Sequence, residues 1–532
     1  MKKFIFVLIS ILLITFQINS QDISTKKSKK SKHIKDLKIL HWNDFHARNL
    51  PYRISSKDSI TGESTSYYIG GTSNMLGYVN KLRDKNSILL NGGDDFQGSP
   101  ISSITRGNSQ IELLNLYGLD AFVIGNHDFD YGQYSLDSAL KKATFNYLSA
   151  NVYDKSKNNT FAKPYIIKKI NGIKCGVIGI TALDLMTLTV PKNVSELRML
   201  NTDSVINAGI KYLKKNKCDI IILLTHIGFD NDKKLASKFH KDVDIIIGGH
   251  SHTPLFKPEI RNGVIIAQAG SYSRWLGEVD LKIDLKKDTI VSFKTRLVET
   301  KMDSLIYDHK AQEKVEAMVA GIQGDLMKVI GSLETDWKRG FSEESNLGQW
   351  EADAIKNRVK SDVTFINSGG IRKDLSKGMI TINDIWEINP FGNTIVTFDI
   401  SGKGLKEIFR NNIKNFVNEV NELGSSDRII VSGVRVVYDS KIVLEGGENY
   451  IIEMNVNGEN IDENKIYTVS TNNYVGSQFK KYFGEVSEVV KITDTNIIDR
   501  DLLIEAVENQ KIINSVIENR VEDISKQEIR RN

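Results

Sequence analysis

The sequence predicts an α/β fold, a layered sandwich of sheet and helices, followed by a smaller α+β unit. Three observations carry this expectation. Between about residues 37 and 297 short β-rich apolar runs alternate with segments of helical period, as when helices cover the faces of a sheet. A charged, proline-free stretch follows near 308–329, and beyond 331 helix-like and strand-like segments are interspersed. The length of 532 residues exceeds what a single core usually fills.

At the start, Lys2 and Lys3 precede an apolar run over 4–16 and then a mostly polar stretch. Residues 1–20 therefore read as a signal peptide, which implies export to the periplasm, the cell surface or the medium, with a retained N-terminal anchor as the alternative. The run is shorter than the ~20 residues a spanning helix needs, so no stable membrane insertion is expected after its removal. Residues 21–36 read as a basic tether carrying Lys26, Lys27, Lys29, Lys30, Lys32 and Lys35. The formal net charge of +5 is too small to suggest nucleic-acid binding. Hydrophobic content of 40% and charged content of 26% exclude disordered, fibrous and multi-span membrane chains.

The first folded unit is expected over 37–305, with strands at 37–41, 88–90, 122–124, 220–224 and 243–247 and helices at 71–82, 111–117 and 204–213. Cys175 and Cys218, each at the edge of an apolar run, read as buried thiols, and a bridge between them stays open. Residues 306–330 read as an exposed linker helix. The second unit is expected over 331–525, with helices at 346–359 and 402–411 and strands at 362–367, 394–400 and 431–438. Nothing in the sequence specifies an oligomeric state.

Five polar clusters each follow one of the strand-like runs: Asp44 and His46; Asp94; Asn126 with His127, Asp128 and Asp130; His226; and His250 with His252. In open α/β sheets the loops at the carboxyl ends of the strands converge on one crevice, so residues scattered in sequence meet in space. A lone histidine after a strand is ordinarily a satisfied polar residue. Here five of the nine histidines fall in these clusters, each near a Gly, Asp or Asn of the kind a tight loop needs. Imidazole, carboxylate and one amide oxygen without thiolate suit two catalytic divalent ions: zinc or manganese first, with cobalt, iron or magnesium as alternatives. Seven candidate ligands are one short of two separate four-coordinate sites, which calls for a shared carboxylate, and Asp94 among its glycines suits that place.

Trp42-Asn43-Asp44-Phe45-His46, Gly93-Asp94, Gly125-Asn126-His127-Asp128, Thr225-His226 and Gly249-His250-Ser251-His252 resemble, in order and spacing, the motifs of calcineurin-like metallophosphoesterases. With Phe129-Asp130 and the signature of the C-terminal half, the chain resembles more narrowly the 5′-nucleotidase and UDP-sugar hydrolase family over roughly residues 36 to 520. The resemblance implies a four-layer αββα sandwich with a substrate-binding α+β domain behind it. It implies one ion on Asp44, His46, Asp94 and His252, and a second on Asp94, Asn126, His226 and His250. His127, oriented by Asp130, would stand beside the phosphate as acid or charge stabiliser.

In the second unit, Asn367-Ser368-Gly369-Gly370-Ile371-Arg372 follows a strand, and its glycines let backbone approach a ligand while an arginine forks onto phosphate oxygens. The resemblance implies that Asn367, Gly370 and Arg372 contact a nucleotide whose base lies between Phe391 and Tyr474. Two departures from the family pattern concern specificity: Phe341 stands where an arginine is usual, with Arg339 nearby, and Gly476-Ser477-Gln478-Phe479-Lys480 lacks the usual ribose-binding acid. The expected activity is phosphate release from nucleoside 5′-monophosphates by metal-activated water. Two alternatives stay open: cleavage of UDP-sugars, cyclic nucleotides such as 2′,3′-cyclic ones, or NAD at the same centre, and a non-catalytic exported binding protein. The two units are expected to close around the substrate about a hinge near 308–329.

Overall fold

A computed structural model describes residues 33–57 and 64–525, so the expected signal peptide and nearly all of the basic tether lie outside the described residues. Two six-stranded sheets make the first unit. One runs Thr289–Glu299, Trp275–Asp284, Ile34–Trp42, Ser87–Asn91, Ala121–Val123 and Asn146–Leu148 from edge to edge. The other runs Glu259–Arg261, Val264–Ala267, Ile245–Ile247, Ile220–Thr225, Ile173–Ile180 and Tyr165–Ile170. Four successive strands of each pair in parallel, from Ile34–Trp42 to Asn146–Leu148 in the first and from Val264–Ala267 to Ile173–Ile180 in the second.

Strand alternation sorts the side chains into layers. Ile39, Leu90 and Val123 of the first sheet share one core with Val177, Ile222 and Ile247 of the second. Their neighbours Leu40, Leu89 and Phe122 face outward onto the helices Thr72–Leu82 and Asn108–Leu114. Ile178, Leu223 and Ile246 face the helices Thr202–Lys215 and Phe229–Phe239. Burial on both faces explains why these strands read as continuous apolar runs, and the result is the expected four-layer αββα sandwich.

The second unit is built on a five-stranded sheet in the order Ile429–Ser432, Val363–Asn367, Ile466–Asn472, Thr394–Ser401 and Thr493–Ile498. Phe365 and Phe398 pack on the helix Gly402–Leu423, whereas Ile366 and Ile395 pack on Asn346–Val359 and Asp499–Gln510.

Several expectations are corrected. The helix expected at 402–411 runs on to Leu423, because Ile413 and Val417 continue its buried face until Gly424 turns left-handed at φ 79°. The single strand expected at 431–438 is two, Ile429–Ser432 and Val434–Tyr438, in different sheets. Gly433, at φ 77°, makes the break. The linker is not one exposed helix: His309–Ala320, capped by the Asp308 carboxylate, ends at Gly321, and a strand begins at Val329. Ala311 and Val315 of that helix are fully buried, with Ala311 in the core of the first unit. Both cysteines are free, Cys175 between the sheets and Cys218 half-buried. Among the described residues no helix is long and apolar enough to cross a membrane.

A β-carbon on Gly433 would lie 2.1 Å from the Asp362 carbonyl oxygen. Left-handed backbone at a residue with a β-carbon costs about 1–2 kcal/mol, and the clash adds to that. Gly433→Ala should therefore lower the melting temperature by several degrees in a thermal scan; an unchanged melt would mean that the turn relaxes without cost.

Candidate metal centre

All five polar clusters sit at the carboxyl ends of parallel strands, and the two sheets bring those ends together. The loops continue the sheet pairing past the strands: Asp44 N–H donates to the Gly93 carbonyl at 2.8 Å and His46 N–H to the Asp94 carbonyl at 2.9 Å. Asp44, His46, Asp94, His250 and His252 all have left-handed backbone, with φ between 51° and 77°. Such conformations cost of order 1–3 kcal/mol each and persist only where surrounding structure over-determines them.

Part of that over-determination comes from Asp128, which sequence reasoning places in a cluster without a role. Its buried carboxylate accepts the backbone N–H groups of Asp94 (3.1 Å), Asp95 (2.9 Å), Phe96 (3.1 Å) and Gly125 (2.7 Å). Burial outweighs these bonds and pushes its pKa up to about 7. Asn43, also given no role, donates to Asp44 Oδ2 at 2.6 Å and accepts Ala269 N–H at 2.8 Å. Gly125 is required by close approach, since a β-carbon there would lie 2.1 Å from Asp94 Oδ1.

The donor atoms form two adjoining triads, Asp44–His46–His252 and Asp94–His226–His250. His252 Nε2 lies 3.2 Å from Asp44 Oδ1 and 3.1 Å from His46 Nε2, and His226 Nε2 lies 2.9 Å from Asp94 Oδ2. Asp44 Oδ1 is 3.9 Å from the Nε2 atoms of both His46 and His226, so the triads touch. His226 Nδ1 donates to the Gly92 carbonyl at 2.6 Å, which turns the Nε2 lone pair towards the carboxylates.

Electrostatics asks for positive charge here. Burial disfavours a charged His226, yet Asp94 and Asp44 outweigh it and raise its pKa to about 10. Burial, then Arg372, keeps His46 well below the usual imidazole range, and burial with His226 brings His250 down to about 4. Neutral imidazoles are what a metal needs. Buried Asp44 Oδ1, Asn126 Oδ1 and His226 Nε2 lack any hydrogen-bond partner. Two buried carboxylates set among imidazole nitrogens, with an unpartnered amide oxygen on Asn126, fit a divalent ion.

Around the triads stand the remaining expected residues. His127 Nδ1 is 2.8 Å from Asp130 Oδ2, and its backbone N–H donates to Asp94 Oδ1 at 2.8 Å. From the second unit, Arg372 Nη2 reaches to 3.3 Å from His46 Nε2. The Phe391 ring is 5.7 Å from the His127 ring and 5.7 Å from the Arg372 guanidinium. Asn367 accepts from Asn472 and donates to Asp427, while Gly370 leaves room beside it, a β-carbon there falling 3.3 Å from Asn367 Oδ1. Tyr474 packs against Tyr482 at 6.3 Å.

Two further residues carry no sequence signal. Tyr272 has its ring 5.4 Å from His46 and 5.5 Å from His252. Asp427 gathers Ser368 Oγ, the Gly369 N–H and the Tyr482 hydroxyl at 2.7–2.9 Å. Arg339 Nη1 donates to the Arg372 carbonyl at 3.1 Å, bracing that residue's backbone, and Phe341 is 52% exposed.

Residues 37–254 match the calcineurin-like phosphoesterase family model, and residues 328–485 match the model of the 5′-nucleotidase C-terminal domain. The chain is 30% identical to the snake venom 5′-nucleotidase of Gloydius brevicauda over 446 residues, covering 76% of this chain and 74% of the relative. It is 27% identical to endonuclease YhcR of Bacillus subtilis over 83% of its own length, but spans only 37% of that protein. The crystal structure of a 5′-nucleotidase precursor from Thermus thermophilus has the same fold, with TM-score 0.79 at 24% identity over 92% of this chain and 99% of the other.

Replacing Asp128 by Asn keeps the shape and removes the charge that four N–H groups share. We expect Asp128→Asn to weaken binding of manganese or zinc by about 10–100-fold, the usual effect of losing a group that orients ligands. Calorimetric titration of the metal-stripped protein measures it; an unaltered affinity would show that the loops hold their shape without that carboxylate.

Proposed function

Because the chain belongs to the 5′-nucleotidase family of metal-dependent phosphoesterases, we propose that it hydrolyses nucleoside 5′-monophosphates to nucleoside and phosphate at two divalent ions. The observation that carries this reading is the pair of adjoining donor triads with the His127–Asp130 pair and the second unit's Arg372 around them.

We assign one ion to Asp44, His46, Asp94 and His252 and the other to Asp94, Asn126, His226 and His250, with Asp94 common to both; zinc or manganese suits this set of donors. When bound, the pair supplies Lewis acidity towards the phosphoryl oxygens and a lowered pKa for the attacking water. The chain's own residues do the rest. Asp130 holds His127 through Nδ1, which leaves Nε2 to donate to a phosphoryl oxygen or to the departing ester oxygen. Burial lowers the pKa of His127, but Asp130 and Asp94 outweigh it and raise the value, which favours the protonated form that this donation needs. Arg372 presents its fork to the phosphate. Asn367 and Gly370 shape the nucleoside side, where Phe391 and Tyr474 stack the base at about 1–3 kcal/mol per base. Export is part of the proposal and rests on the Lys2-Lys3 start and apolar run of residues 1–20.

A panel of nucleoside monophosphates read out as free phosphate tests the reading, and activity should vanish on chelation and return with zinc or manganese. His127→Ala should lower kcat/KM by roughly 10²–10⁴-fold while the protein stays folded. Asp94→Asn should lose bound metal as well as turnover, by elemental analysis. Turnover near wild type in either variant would remove the assigned roles.

A further inference from the structure

The turn over 367–370 is held by a residue far from it in sequence. Strand Val363–Asn367 pairs antiparallel with Ile429–Ser432, Asn367 standing opposite Ile429, so the residues entering the second strand lie beside those leaving the first. Asp427 thereby faces Gly369. Its Oδ1 accepts the Gly369 N–H at 2.8 Å, with the Ser368 hydroxyl 2.9 Å away. Its Oδ2 accepts the Tyr482 hydroxyl at 2.7 Å and the Asn367 amide at 3.3 Å. An ionised carboxylate can only accept, and hydrogen bonds to it are stronger than those between neutral groups.

The loop that carries Asp427 is fixed on both sides. Ser426 N–H donates to Ser342 Oγ at 2.9 Å. Arg428 N–H is shared between the Phe341 carbonyl at 3.1 Å and Ser368 Oγ at 3.0 Å. The carboxylate is therefore in place before any ligand arrives.

These bonds decide which way the Asn367 carboxamide points. An amide has a donor end and an acceptor end of nearly the same shape, so its neighbours choose between them. Asn472 Oδ1 accepts Val475 N–H at 2.8 Å, which turns Asn472 Nδ2 towards Asn367 Oδ1 at 3.2 Å. The Nδ2 end of Asn367 is then left for Asp427, and both neighbours impose one orientation. The same carboxylate steadies an aromatic ring. Tyr482 is 4% exposed and packs edge-on against Tyr474, with ring centres 6.3 Å apart. Burial, then the charge of Asp427, holds the Tyr482 hydroxyl well above its ordinary range, so it remains a donor. Tyr474 and Val475 share the short helix Asn473–Ser477, which is thus held through Asn472 at its start and Tyr482 at its side.

We propose that Asp427 is a positioning residue for the base: it fixes the Asn367 carboxamide and the Tyr474 ring relative to each other, and so sets how tightly a nucleotide is held beside the metal centre. The four groups around Asp427 all belong to the second unit, and none is a proposed metal ligand. Its part in nucleotide turnover rests on the hydrolase reading above; its part in holding the base does not.

The test compares uridine 5′-monophosphate with ribose 5-phosphate, which carries a hydroxyl in place of the base, on the full manganese-loaded chain. Asp427→Asn keeps the size of the side chain and removes its charge. It should lower the ratio of kcat/KM for the nucleotide to kcat/KM for the sugar phosphate by about ten-fold, through the KM of the nucleotide rather than its kcat. Tyr482→Phe removes only one hydroxyl and should lower the ratio by about three-fold; it answers the question if Asp427→Asn does not fold. General loss of structure would depress both esters alike and leave the ratio where it was. In a His127→Ala background, calorimetry should find uridine 5′-monophosphate bound about ten-fold more weakly after Asp427→Asn. An unchanged ratio, or an equal affinity with and without the carboxylate, overturns the role of Asp427. A wild-type chain that releases phosphate from neither ester removes the hydrolase reading instead, and the calorimetry then decides on Asp427 alone.

Discussion

Two carboxylates, Asp44 and Asp94, are held side by side out of water, 0% and 1% exposed, with four imidazoles gathered around them. Unscreened like charges repel strongly in such surroundings, so the arrangement exists only because the backbone imposes it. The cost is visible in five left-handed residues with side chains, together of the order of a whole domain's net stability. The double sheet behind the centre is what can bear it. Its inner strands are buried on both faces, its loops continue the strand pairing through Asp44 and His46, and Asp128 pins a second loop through four N–H groups. Without a cation, His226 is drawn to carry the compensating charge; a divalent ion would take over that part and leave the imidazole free as a ligand.

This division explains what can be read from the sequence. Each donor follows an apolar run by a few residues, and parallel strands aim their carboxyl ends one way, so the clusters announce a common crevice without any knowledge of packing. Contacts across the units give no such sign: Arg372 reaches His46 across 326 positions, and local pattern says nothing about which loop of one core meets which loop of another. The role of Asp128 is hidden because an aspartate beside candidate ligands reads as one more of them, whereas its work is to collect backbone donors.

The differences in the fold have similarly local causes. Apolar residues on both sides of Gly433 merge two strands into one run, although the glycine between them marks the change of sheet. In the connecting segment Ala311 and Val315, four residues apart, form a buried stripe, but the lysines and glutamates around them make the helix look exposed. The helix beyond Asn411 is obscured because Lys414 and Asn415 interrupt the apolar residues that lead from Ile413 to Val417, which is ordinary helical spacing.

On the proposed reading, chemistry and selectivity are carried by different cores. Five of the seven proposed metal ligands sit on left-handed backbone, so a substitution there disturbs loop geometry and stability together with the donor set. Arg372 and Phe391 reach His46 and His127 from a second unit with a core of its own. On the proposed reading, departures such as Phe341, or the absence of an acid after Tyr474, would bear on which phosphoester is held and not on the means by which it is cut.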